Sequence, residues 1–166
     1  MIQGILRWLQ LLAILVWVGG ITFFAFVLAP TAFRVLPSVH LAGAVVGASL
    51  RGLNGLGLGC GAVFLIVTAV MFRRADMRLK GRYEMQFLLA GVMVLATAYL
   101  QFNILPAMDQ DRILAGGDVS AVAPNHPARV HFDKLHIRSE RVEGAILLLG
   151  LGVTFLMSRE QAPTAG

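Results

Sequence analysis

Between Leu11 and Ala29 the chain runs through nineteen residues without one charged side chain. Two further uncharged stretches cover 52–72 and 85–108, and a shorter one over 144–158 follows a charged head. A helix rises 1.5 Å per residue, so about 20 residues cross the roughly 30 Å of hydrocarbon in a bilayer. The expected fold is therefore all-α, an integral membrane four-helix bundle filling residues 1–166. The spans are expected at about 5–29, 52–71, 85–105 and 138–157.

Composition agrees, since only 14% of residues are charged against about 25% in soluble domains. The formal charge of +5 fits basic loops on an anionic leaflet better than nucleic acid, because no basic stripe interleaved with aromatics lies on a soluble face. Cys60 is the only cysteine, which excludes an intramolecular disulfide and any CxxC chemistry. The first apolar run exceeds the length of a signal-peptide core and meets Pro30 rather than a small-residue cleavage site. It is read as a span.

Pro37 and Ser38 separate the first two helices, with Ser38 as N-cap of the second. Residues 39–50 are expected to extend that helix beyond the membrane, and Pro106 to close the third. Arg73, Arg74, Arg78, Lys80 and Arg82 face only Asp76 and Glu84 in the 2–3 loop, whereas the stretch from Asp109 to Glu143 sets six acids against five bases. The positive-inside rule then makes both termini cytoplasmic, in a bacterial inner membrane. All four histidines, at 40, 126, 131 and 136, fall on the outer side. In the second span Gly43/Gly47, Gly55/Gly59 and Gly57/Gly61 are small-xxx-small pairs, which permit close packing within the bundle or against another copy.

The chemistry concentrates in "HFDKLHIRSERVE", residues 131–143. At about 100° per residue, Asp133, His136, Glu140 and Glu143 share one helical stripe, and Lys134, Arg138 and Arg141 the opposite one. Like charges neighbour one another within each stripe, so both need outside partners. Asp109, Asp111 and Asp118 are candidates for the basic side, Arg34 and Arg51 for the acidic side. Asn54, Gln101 and Asn103 add polar groups at similar depth. Glu143 falls about a turn inside the membrane, where an acid marks a candidate site.

Two readings stand. One is a structural ion pair between Arg51 and Glu143. The other is a divalent metal site of His136, Glu140 and Glu143, completed by His40 or His131, whose N and O donors suit zinc, iron or Cu(II). A haem with His40 and His136 as axial ligands is a third, weaker reading of the same residues. No GxSxG, HExxH or P-loop pattern occurs, so the chain is not expected to be an enzyme. Its expected partners are the bilayer and either further copies or a larger membrane complex.

"WVGGITFFAFVLAPTAFRVLP", "LAGAVVGASL", "NILPAMDQDR" and "FDKLHIRSE" together resemble the domain-of-unknown-function family 4149, which includes the animal transmembrane protein 205-like proteins. The resemblance spans about residues 12–150. The first of these stretches is also similar, more distantly, to the copper-resistance D membrane family. The resemblance implies a four-helix membrane protein, with metal or platinum-drug handling suggested for relatives. The motif positions carried over are Trp17, Gly19, Gly20, Pro30, Phe33, Pro106, His136 and Ser139. The family commonly has asparagine where this chain has Glu143.

Overall fold

The computed structural model describes residues 1–159. It is all-α, and four of its helical rods are long and apolar enough to cross a membrane: Ile2–Val35, Val39–Arg74, Met77–Leu114 and Pro127–Ser158. The first rod comprises α1 (Ile2–Phe23), a π-helical turn (Phe24–Leu28) and α2 (Ala29–Val35). The second is α3 (Val39–Arg74), unbroken from the expected outer extension through the crossing. The third joins α4 (Met77–Tyr99), a second π-helical turn (Leu100–Ile104) and α5 (Leu105–Leu114). The fourth is α6 (Pro127–Ser158). The sequence predicts a frayed tail from Arg159 onward; residues 160–166 lie outside the described part.

Pro106 does not end the third helix. Proline removes an N–H and crowds the carbonyl four residues back. Here a π-helical turn immediately precedes it and takes up the mismatch, so the rod continues to Leu114. Pro30 follows the other π-helical turn at the same spacing and is accommodated in the same way. Such turns are how a long helix absorbs a local break in its hydrogen-bond ladder. The true break comes after Val35, where Leu36 turns extended and the Ser38 hydroxyl caps α3 by accepting from the Leu41 amide.

Rods one and two pack closely because glycines meet a tryptophan. Trp17 is buried on the bare backbone of Gly57 and Gly61, and a Cβ built on Gly57 would stand 2.5 Å from its indole nitrogen. The Gly57/Gly61 pair is thus used inside the bundle. Gly55 and Gly59 face open space, and Gly43 and Gly47 leave room for the Arg112 guanidinium. Near the termini, the buried Gln10 amide donates to Thr68 Oγ1 at 2.8 Å and Gln86 Oε1 at 3.1 Å, tying α1, α3 and α4 together. The opposite end of the bundle is less tightly filled, and there the polar residues collect.

Candidate functional site: a cavity at one end of the bundle

At the end formed by α2, α5 and the 115–126 connection lies a cavity of about 760 Å³. Its walls are mostly apolar, from Phe24, Phe33, Leu50, Met108 and Leu147 among others. Its polar groups come from three rods and from Asp118 and Ser120 of the connection. Arg51 and His40 belong to α3, Arg112 to α5, and Asp133, His136, Ser139, Glu140 and Glu143 to α6. The acid-and-histidine stripe of α6 therefore does face a common space, and His40 joins it from across the bundle.

Arg51 pairs with Asp109 of α5 rather than with Glu143. This corrects the expected ion pair. Because the third rod continues past Pro106, α5 carries Asp109 back against α3, within reach of the long Arg51 side chain. Arg112 Nη1 donates to the other Asp109 oxygen at 3.2 Å, and its Nη2 to the Gly43 carbonyl at 3.3 Å. The guanidinium also lies 5.1 Å from the centre of the Phe132 ring, which stacks in parallel on His136 with centroids 6.3 Å apart. His136 Nε2 in turn stands 3.2 Å from Glu140 Oε1. One wall of the cavity is thus a continuous chain of contacts from Arg112 through Phe132 and His136 to Glu140, anchored from behind by Asp109.

The remaining polar groups are divided rather than pooled. His40 Nδ1 lies 3.7 Å from Asp118. The Ser120 hydroxyl at 2.6 Å and its amide at 2.8 Å also bond Asp118. Those hydrogen bonds hold the Asp118 carboxyl below the ordinary carboxylate range, with nearby His40 adding to the effect. His131 turns away from His136 and meets the buried Asp111 through Nδ1 at 2.8 Å. Among the described residues no group of three His, Cys, Asp or Glu side chains gathers closely enough to hold a metal ion. His40, His136, Glu140 and Glu143 share a cavity without forming a coordination shell.

Glu143 differs from its neighbours. Its residue lines the cavity, yet both carboxylate oxygens are closed to water and have no hydrogen-bond partner. Asn54 Nδ2, Thr97 Oγ1 and Gln101 Oε1 are also buried without a partner. Buried polar groups in proteins are nearly always satisfied, so a cluster of exceptions calls for an explanation.

The other motif residues divide by role. Trp17 and Gly20 belong to the α1–α3 packing, a Cβ on Gly20 meeting Leu53 at 2.7 Å, whereas Gly19 faces open space. Pro30 and Phe33 line the cavity. Ser139 is buried and donates to the His136 carbonyl at 2.8 Å. Arg112, Phe132 and Asp109 were not singled out by sequence as a unit. Spacing alone could have paired Asp109 with Arg112 at i, i+3, but only the fold brings Phe132 and Arg51 to them.

Four apolar helical rods around a polar-rimmed cavity define a helical membrane protein with a candidate ligand site. Within that class the chain belongs to the DUF4149 family, described as a domain of unknown function, whose model matches residues 12–111. The match takes in Trp17, Pro30, Phe33, Arg51 and Pro106 and ends at Asp111, ahead of α6 with His136, Ser139 and Glu143. Comparison with curated proteins and with solved structures found no match, and nothing found extends the likeness to the copper-resistance D family.

Proposed function

We propose that the chain is a ligand-handling membrane protein that binds an amphipathic small molecule in the cavity between α1–α2, α3, α5 and α6. The supporting observation is the cavity itself. Its volume of about 760 Å³ falls among small-molecule sites of roughly 300–1,000 Å³, which pair apolar walls with a few placed polar groups. It is far larger than an ion needs. The apolar walls suit a hydrocarbon or aromatic body, and the rim of Arg112, His40, Asp118 and Glu140 suits a polar end. Binding rather than catalysis is the role proposed, in an inner membrane with the cavity on the side opposite both termini and the basic 2–3 loop. Metal handling is the weaker reading, because His40 and His131 each have an aspartate of their own away from His136.

The test is equilibrium binding of a neutral environment-sensitive fluorophore, 1-aminoanthracene, to the purified chain in nanodiscs. Val46 lines the cavity, and Val46→Trp fills part of it. Saturable binding that Val46→Trp weakens at least about tenfold, which is a 1.4 kcal/mol effect, is the expected result. Equal binding by both proteins, or none by wild type, rejects the cavity as a ligand site.

A further inference from the structure

Four of the buried polar side chains with an unpartnered atom, those of Asn54, Thr97, Gln101 and Glu143, lie at one depth; Gln10 and His126 lie elsewhere. Gly150 of α6 packs on Val18 and Met93, and Gly61 of α3 packs on Val94 and Trp17, so these positions mark one level across the bundle. Seven residues toward the cavity end, about 10 Å along each helix, α6 reaches Glu143, α3 reaches Asn54, and the third rod reaches Gln101. Thr97 lies one turn back from Gln101. Each position also belongs to a core-facing row. Leu50, Asn54 and Gly57 are buried on α3, and Met93, Thr97 and Leu100 on the third rod. Leu135, Ser139 and Ile146 are buried on α6, and Glu143 continues their spacing.

Thr97 strengthens the point. Thr22, Thr68 and Thr154 each donate to the carbonyl four residues back, the usual refuge of a helical hydroxyl in an apolar setting. Thr97 is 1% exposed and does not do so; its Oγ1 has no partner. Asn54, at 3% exposed, likewise leaves its amide nitrogen unused. Both side chains are more than nine-tenths buried, at the depth of the Glu143 carboxyl.

We propose that this layer binds the primary ammonium head of the amphipathic ligand whose body occupies the cavity. The inference rests on the cavity reading above and deepens it by naming the ligand class. A primary ammonium carries three N–H donors and one positive charge. With the head group bound, one Glu143 oxygen, Gln101 Oε1 and Thr97 Oγ1 would supply three acceptors, and Asn54 Nδ2 would close on the second Glu143 oxygen as its donor. Every unpartnered atom of this layer is then used, and the buried carboxylate has its counter-charge. Glu143 connects the two regions, because its residue lines the cavity while its oxygens belong to the closed layer. Removing one partner from such a set leaves buried polar groups unsatisfied, which is why a site built to hydrogen-bond a head group discriminates strongly against analogues lacking the donors.

The experiment is displacement of 1-aminoanthracene from the full chain in nanodiscs by n-octylamine, octyltrimethylammonium and 1-octanol at pH 7. The amine should compete at least about tenfold better than the other two, the cost of losing a hydrogen bond to a charged group. Glu143→Gln should erase that preference, and Thr97→Val should reduce it, while 1-octanol competes equally with all three proteins. If 1-octanol displaces the probe but the amine has no advantage, the ammonium inference falls and the cavity reading stands. If no compound and no probe binds, the cavity reading fails. Replacing choline chloride by sodium chloride provides a further arm. A sodium-dependent rise in Tm that Glu143→Gln abolishes, without amine preference, would make the layer a metal-cation site and overturn the proposal.

Discussion

Arg51 of α3 pairs with Asp109 of α5, and the same aspartate also accepts from Arg112. Two helices are thereby joined at the cavity rim through one carboxylate. Both Arg51 and Asp109 remain about 40% exposed, at 43% and 39%, so the pair is a rim interaction of about 0–1 kcal/mol. Arg51→Ala and Glu143→Gln should therefore combine additively within about 0.5 kcal/mol. Arg51→Ala and Asp109→Ala should not. Denaturation of the single and double variants in mixed micelles measures both cycles, and a clear Arg51–Glu143 coupling would contradict the arrangement.

Asp111 is 4% exposed, and His131 Nδ1 approaches both of its oxygens, at 3.0 and 2.8 Å. His131→Ala should destabilise the α5–α6 contact by about 1–3 kcal/mol, because the carboxylate is left buried without its partner. Asp111→Ala together with His131→Ala should recover part of that loss. Hydrogen exchange over residues 105–114 gives the local readout. Unchanged protection in His131→Ala would show that the pair holds nothing.

The four spans were legible because the bilayer imposes a length and an apolarity that the sequence displays directly. The Pro37–Ser38 break was legible too, since a proline followed by a capping serine acts through local geometry. Pro106 misled for the opposite reason. Whether a proline ends a helix or sits behind a π-helical turn depends on the helices packed around it, and its neighbours Leu100, Ile104 and Leu105 are all buried. Reading Pro106 as a stop left unseen the return of Asp109 against α3, where it takes Arg51 as its partner. The α6 stripe was visible from spacing alone. That its members share a cavity yet bond different neighbours depends on long-range packing, as in the His131–Asp111 and His40–Asp118 contacts.

Gly57 and Gly59 sit two residues apart on α3 with opposite surroundings. A methyl at Gly57 would strike the Trp17 indole, whereas at Gly59 nothing lies within 4 Å. Gly57→Ala should cost about 1–3 kcal/mol through forced repacking. Gly59→Ala should be neutral within about 0.5 kcal/mol, as expected of a substitution that meets no neighbour. Tm values in one detergent compare the two directly, and equal losses would rule out the Trp17 contact as the cause.

The hydrogen bonds to Asp118 make the 115–126 connection sensitive to acid. Its carboxyl is held below the ordinary value of 3.8, so its folded pKa lies under its unfolded one. The stabilising contribution is present above the unfolded value and is lost as pH falls through the folded value. At pH 7 the connection should resist limited proteolysis, and cleavage near residue 118 should rise only below about pH 4, near the ordinary aspartate pKa. Ser120→Ala removes the hydroxyl donor and should move that onset upward. An unchanged onset in the variant would dissociate Ser120 from the effect.

The proposed side of the membrane for the cavity rests on charge. The turn between α3 and α4 is flanked by Arg73, Arg74, Arg78, Lys80 and Arg82, and short basic loops stay on the cytoplasmic side. On the proposed orientation, because α3 and α4 are antiparallel rods joined by that turn, the α5 end and the 115–126 connection are expected on the other face. Asp76, the N-cap of α4, and the partly exposed Asp118 mark the two sides. In a Cys60→Ala background, Asp118→Cys should react with an impermeant maleimide added to intact spheroplasts, and Asp76→Cys should react only after lysis. The reverse pattern would turn the cavity toward the cytoplasm, and any amphipathic amine would then have to reach it from inside the cell.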